Sequence, residues 1–238
     1  MRLRRLLEIA MLTSQTTRCL ALAVLLLAGG AGAQQPQERY KGREIAGVMS
    51  YRGAPWLERA ERVREENPAQ LLASLPLAEG ATAVDMGCGS GYYARRMSQR
   101  VGEKGKVLCV DIQPEMLQIA GQLAERMGIE NIEPVLGTAT DPKLPEESVD
   151  LILLVDVYHE FSDPKAMLEA MRRALKPDGI AALAEYRLEG DSAAFIKVEH
   201  RMSIKQVMKE WRPAGFELVE RIDDLPTQHL FLFRKKPD

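Results

Sequence analysis

The run Ala83-Val84-Asp85-Met86-Gly87-Cys88-Gly89-Ser90-Gly91-Tyr92 decides how the rest of the chain is read. The apolar stretch from Ala81 to Val84 reads as a buried strand, followed at once by a glycine-punctuated loop and a helical pattern. Glycines at alternate positions remove the Cβ atoms that would hold a ligand away from the backbone. A helix starting near Tyr92 points its N–H groups and the positive end of its dipole at whatever sits over the loop. Spacing narrows the ligand. The dinucleotide fingerprint G-x-G-x-x-G fails, because the sixth place counted from Gly87 is Tyr92. The pattern that fits is acidic-x-Gly-x-Gly-x-Gly, with Asp85, Gly87, Gly89 and Gly91. Beyond it, a second apolar run, Lys106 to Val110, ends in Asp111, where Rossmann-like folds hold ribose hydroxyls.

Downstream the chain alternates strand and helix, the signature of a parallel sheet covered on both faces. Strands are expected at Lys106 to Asp111, Asn131 to Leu136, Val149 to Val155 and Ile180 to Tyr186, with a closing antiparallel hairpin of Phe216 to Ile222 and Leu230 to Arg234. Pro114 and Pro164 open helices, and Lys176-Pro177-Asp178-Gly179 reads as a helix stop. Ahead of the first strand, residues 34–75 read as a polar flexible arm followed by lid helices. One runs from Trp56 to about Glu66 and is interrupted at Asn67-Pro68. Residues 76–238 form the ligand-binding domain.

With the loop, Asp111 and this rhythm in place, the chain resembles the class I S-adenosylmethionine (SAM) dependent methyltransferases, from about Tyr40 onward. The resemblance implies an α/β, Rossmann-like, doubly wound sheet of seven strands, mostly parallel with the last one antiparallel. More narrowly, Gly42-Arg43-Glu44-Ile45-Ala46, the segment Asp156-Val157-Tyr158-His159-Glu160-Phe161, and Leu225-Pro226 with Gln228-His229 are similar to a group of exported bacterial methyltransferase-domain proteins. The resemblance further implies that Gly87, Cys88, Gly89 and Gly91 pass close to the methionine part of SAM. Asp85 would assist its ammonium group, Asp111 would bind the ribose hydroxyls, and Ile112 would pack on adenine. Thr138-Ala139 stands where the family often has an acidic or amide residue for the adenine amino group; Asp141 is the candidate substitute, or it caps the turn before Pro142.

Asp156, Tyr158, His159 and Glu160 follow a buried strand, and titratable groups gathered there suit a pocket mouth. Asp156, Tyr158 and His159 are therefore the catalytic candidates, Asp156 also on the cofactor side. A base such as His159 would take the proton of a hydroxyl, thiol or amine acceptor; the competing reading has it capping or packing below the pocket. The three histidines, His159, His200 and His229, show no short ligand spacing with Asp156, Glu160 or Glu185, and no metal is expected.

Charges of both signs are mixed along the 238 residues, with net charge −2, and no basic block points to nucleic acid. Arg2, Arg4, Arg5 and Arg18, the apolar run Leu20 to Ala28 and then Ala31-Gly32-Ala33 read as a secretory signal peptide cleaved after Ala33, giving a periplasmic or secreted protein. The run is short against the roughly 20 residues of a membrane span; the competing reading is an uncleaved N-terminal anchor. Cys88 and Cys109 are expected as free thiols; the competing reading is a bridge between them, which needs Cα atoms within about 7 Å. The expected activity is SAM-dependent methyl transfer to a small-molecule acceptor. The alternative is an exported, non-catalytic protein that binds an adenosyl ligand on the same fold.

Overall fold

The computed structural model describes residues 38–237, so the expected leader lies outside the described residues. The described chain starts with a small hairpin, β1 (Arg39–Tyr40) and β2 (Arg43–Glu44), closed by Lys41 and Gly42, both at positive φ. This replaces the flexible arm expected there. Charge complementarity holds the hairpin down: Arg43 Nε lies 2.9 Å from Glu210 Oε1, and Lys209 Nζ donates to the Lys41 carbonyl at 2.6 Å. After a 3₁₀ turn at Tyr51–Gly53 come three short helices, α1 (Ala54–Leu57), α2 (Arg62–Glu66) and α3 (Pro68–Ala73). The single helix expected from Trp56 to Glu66 is thus two. Asn67 ends α2 in the left-handed region, and its side-chain oxygen accepts from Gln70 N to cap α3.

The main unit then alternates as expected: β3 (Thr82–Met86), α4 (Tyr92–Val101), β4 (Lys106–Asp111), α5 (Pro114–Arg126), β5 (Ile132–Leu136), β6 (Val149–Val155), α6 (Pro164–Ala174), β7 (Leu175–Tyr186), α7 (Ile204–Trp211), β8 (Phe216–Ile222) and β9 (Gln228–Lys235). The seven strands are ordered β5-β4-β3-β6-β7-β9-β8, with β3 to β7 parallel and β9 antiparallel to both its neighbours. The chain order reverses direction about β3, which has β4 on one side and β6 on the other, so the ligand crevice of such a sheet opens above its carboxyl end. At Leu175 the expected helix stop is already strand: Leu175 pairs with Val149, and Lys176 Nζ reaches the Asp150 carboxylate at 2.8 Å.

Both faces of the sheet are covered. Leu71, Met97 and Val101 pack on one face; Met167, Met171 and Trp211 pack on the other, where Trp211 stacks on Phe233 at 4.6 Å. The strands β3 and β6 and the Ile180 to Ala184 part of β7 are accordingly near-continuous apolar runs, as expected of parallel strands buried on two sides.

Candidate functional site

The carboxyl ends of β3, β4 and β6 converge on one cleft of about 850 Å³ including its open mouth. That is within the size range of small-molecule sites. Gly87, Gly89 and Gly91 all adopt positive φ. At Gly87 space as well as conformation demands glycine, since a Cβ would sit 2.3 Å from Val157 Cγ2; at Gly89 a Cβ would sit 2.5 Å from Leu57 Cδ1, the tip of a side chain that must turn aside.

Asp111 ties this loop to the next strand. One carboxylate oxygen accepts from Gly89 N at 3.0 Å and the other from Gln113 N at 2.9 Å. Burial raises its pKa, while the Gln113 and Gly89 N–H groups pull it back. Gln113 then clamps the front segment over the cleft: its side chain donates to Met49 O and accepts from Tyr51 N, each at 2.9 Å. Glu160 adds a second clasp, accepting from Met49 N at 3.3 Å. Burial lifts the Glu160 pKa to about 7, against the opposing pull of His159.

Of the expected cofactor residues, Gly87, Gly89, Asp111, Ile112, Thr138, Ala139 and Asp156 line the cleft, and Asp85, Cys88 and Gly91 do not. Asp85 alternates away from the cleft and accepts from Ala94 N at 2.8 Å, pinning the first turn of α4 beneath the sheet end. Burial pushes its pKa up to about 7, against the Ala94 N–H and the charge of Arg62. Cys88 and Cys109 are not free thiols but a disulfide, with Cα atoms 5.4 Å apart. The loop that leaves β3 folds back against β4, where Cys88 N donates to Val110 O, and this brings the sulfurs together. Thr138 spends its hydroxyl on Asp141 N at 3.0 Å, and Asp141 in turn caps the turn through Lys143.

Asp156 is the most unusual residue of the cleft. It holds φ +50° without being glycine, and Gln228 Nε2 donates to one carboxylate oxygen at 2.6 Å. Its other oxygen, Oδ1, is buried and has no hydrogen-bond partner among the described residues. Burial raises its pKa well above the carboxylate range, reinforced by Glu66 and Glu185 and opposed by Arg62. A buried, unpaired acceptor at a cleft wall suits a cationic or donor-bearing ligand.

The other two catalytic candidates lie elsewhere. Tyr158 is fully buried, with its hydroxyl 2.7 Å from Glu210 Oε2 and Arg43 over its ring, so it belongs to the core beneath the hairpin. His159 is buried and does not line the cleft. Its Nδ1 lies 2.6 Å from Glu185 Oε2 and its Nε2 lies 3.0 Å from His200 Nδ1. Burial alone would lower the His159 pKa, but the Glu185 and Glu160 carboxylates hold it above the usual imidazole value. His229 stands apart, between Asp223 and Glu189. Sequence reasoning did not single out Gln113 or Met49, because an irregular front segment carries no periodicity that reveals where it docks.

A profile described as a methyltransferase domain matches residues 77–226, more than half of the chain. The chain belongs to the methyltransferase-domain family. Within that family it is 34% identical over 100 residues to a demethylmenaquinone methyltransferase of Oceanobacillus iheyensis, covering 42% of each chain. It is 31% identical over 118 residues to a ubiquinone/menaquinone biosynthesis C-methyltransferase of Pseudoalteromonas translucida, covering 49% of this chain and 47% of the other. This methyltransferase-domain chain thus spans less than half the length of those two relatives. A crystal structure of a SAM-dependent methyltransferase from Aquifex aeolicus superposes with TM-score 0.71 at 26% identity, covering 79% of this chain and 98% of that one. SAM is the cofactor that these likenesses indicate, and the cleft fits it. Asp111 offers a carboxylate for a diol, Ile112 an exposed apolar face, and Asp156 Oδ1 an unpaired acceptor for a cation. No helix among the described residues is long and apolar enough to cross a membrane.

Proposed function

We propose that the cleft binds SAM and that the protein transfers its methyl group to a small-molecule acceptor in the periplasm or outside the cell. The observation that carries this reading is the pair Asp111 and Asp156 set at the ends of β4 and β6, the two strands that flank β3 and its glycine loop. Asp111 is anchored by backbone N–H groups, and Asp156 keeps one oxygen unpaired. When bound, SAM supplies an electrophilic methyl group on a sulfonium that is its own leaving group. What the chain must contribute is binding, alignment and exclusion of water. Asp111 accepts from the ribose hydroxyls, Ile112 covers the adenine, and the backbone of Gly87 and Gly89 allows close approach of the methionine part. Asp156 Oδ1 takes the ammonium group, which would relieve its burial without a partner. Glu160 lines the same cleft and presents a carboxylate to the acceptor. His159 does not reach the cleft and acts only through its neighbours.

Export is supported by the leader pattern of residues 1–33 and by the Cys88–Cys109 bridge, a feature of oxidising compartments. Calorimetric titration with SAM and S-adenosylhomocysteine tests the reading. Saturable binding is expected, weakened about 10- to 150-fold in Asp111→Asn, the worth of about 1.5–3 kcal/mol for hydrogen bonds to a charged group. A well-folded protein that binds neither compound would overturn it.

A further inference from the structure

Outside the SAM-binding residues, the fold gathers three metal-ligating side chains from separate segments: His159 and Glu160 in the 3₁₀ turn after β6, and His200 in the 3₁₀ turn before α7. We propose that His159 Nε2, His200 Nδ1 and a carboxylate oxygen of Glu160 form a binding site for a borderline divalent metal ion such as Zn²⁺. The three donor atoms all lie within 4.8 Å of one another. Bonds of about 2.1 Å meeting at about 90–110° place neighbouring donors about 3.0–3.4 Å apart. The two imidazole nitrogens already stand at 3.0 Å, and their rings are set edge to face at 84° rather than stacked. Glu160 Oε1 lies 4.0 Å from His159 Nε2 and 3.9 Å from His200 Nδ1, nearly equidistant, so a small side-chain rotation completes the set.

The surroundings are those of a ligand rather than of an ordinary core histidine. Glu185 accepts from the His159 backbone N at 3.2 Å and lies 2.6 Å from its Nδ1, leaving Nε2 as the ligating nitrogen. A carboxylate behind the distal nitrogen is the arrangement that orients metal-binding imidazoles. Donor chemistry selects the ion: two imidazoles and one carboxylate suit zinc and its first-row neighbours, whereas magnesium and calcium prefer oxygen alone. Three protein donors leave a coordination position open, as in catalytic rather than structural zinc sites. Because Glu160 also lines the cleft, the site adjoins it. The acceptors so favoured carry an ionisable oxygen or sulfur donor, a statement that rests on the methyl-transfer reading, whereas the metal site does not.

The test is equilibrium dialysis of the untagged full chain, stripped of metal, against Zn²⁺ with Mg²⁺ in excess, followed by elemental analysis. One Zn²⁺ per chain is expected. Binding should weaken more than about 100-fold in His200→Ala and in Glu160→Gln, and by about 10- to 100-fold in Glu185→Gln, which positions His159 without touching the ion. His229→Ala, in the separate cluster with Asp223 and Glu189, should bind as the parent does. No stoichiometric Zn²⁺ on folded protein, or Zn²⁺ held as tightly by His200→Ala as by the parent, would overturn the site. SAM titration of the metal-stripped protein keeps the two readings apart. Zn²⁺ taken up by a protein that binds no SAM would sink methyl transfer alone, and SAM bound by a protein that takes up no Zn²⁺ in dialysis would sink the metal site alone.

Discussion

Asp85→Asn separates a structural from a ligand-binding role for the acidic residue of the glycine motif. In the structure Asp85 is buried, accepts from Ala94 N at 2.8 Å and has its pKa pushed up to about 7. The folded state therefore holds this proton more tightly than the unfolded chain, whose carboxyl titrates near 4. The stabilisation from that proton is complete below about pH 4 and is lost as pH rises to about 7 and beyond. Integrating between pH 5 and pH 8 gives a loss of about 2–3 kcal/mol that asparagine, which does not titrate, cannot show. Urea unfolding at the two pH values measures it: the parent should lose about that much more stability than the variant across the interval. A constant offset from the new amide cancels in this comparison. Because Asp85 faces α4 and not the cleft, SAM affinity should hold within about threefold, a change under 1 kcal/mol. Equal pH slopes in the two proteins would refute the burial argument, and a large loss of SAM affinity at unchanged stability would restore the ammonium role.

Replacing both Cys88 and Cys109 by serine should lower unfolding free energy by about 3 kcal/mol, read as a drop in Tm, since the bridge closes a loop of sequence separation 21. Reductant should lower the Tm of the parent and leave the double variant unmoved. Arg43→Ala leaves Glu210 buried without its cation and should cost about 3–5 kcal/mol in denaturant unfolding, with the β1–β2 hairpin becoming sensitive to protease. Gly89→Ala combines a clash with Leu57 Cδ1 and a positive φ. Adding Leu57→Ala should restore SAM binding in part, leaving the conformational cost of about 1–2 kcal/mol.

Much of the fold was legible because the central parts of β3, β4, β6 and β7 are buried on both faces and are largely apolar, while Gly87, Gly89 and Asp111 report a ligand by their spacing. The parts that were not legible depend on tertiary placement. Asp85 and Asp111 both end or nearly end strands, yet pleat alternation sends one under α4 and the other into the cleft. Tyr158, His159 and Glu160 are consecutive, and a tight 3₁₀ turn points them to the core, to Glu185 and to the cleft respectively. His159 and His200 are 41 residues apart, so no spacing rule pairs them. The cysteines offered a usable signal: β3 and β4 run parallel with Asp85 opposite Cys109, which places a thiol just past the end of β3 beside the neighbouring strand.

The position of β9 sets the order in which this domain can assemble. Residues 228–235 are synthesised after every other strand, yet they lie inside the sheet between β7 and β8, and Gln228 supplies the partner of Asp156 at the cleft. Until they emerge, β7 has a bare edge, β8 has no neighbour, and Trp211 lacks the Phe233 ring on which it stacks. A chain that lacks these residues therefore cannot close its core. Until then the edges of β7 and β8 stand open to pairing with any other extended segment.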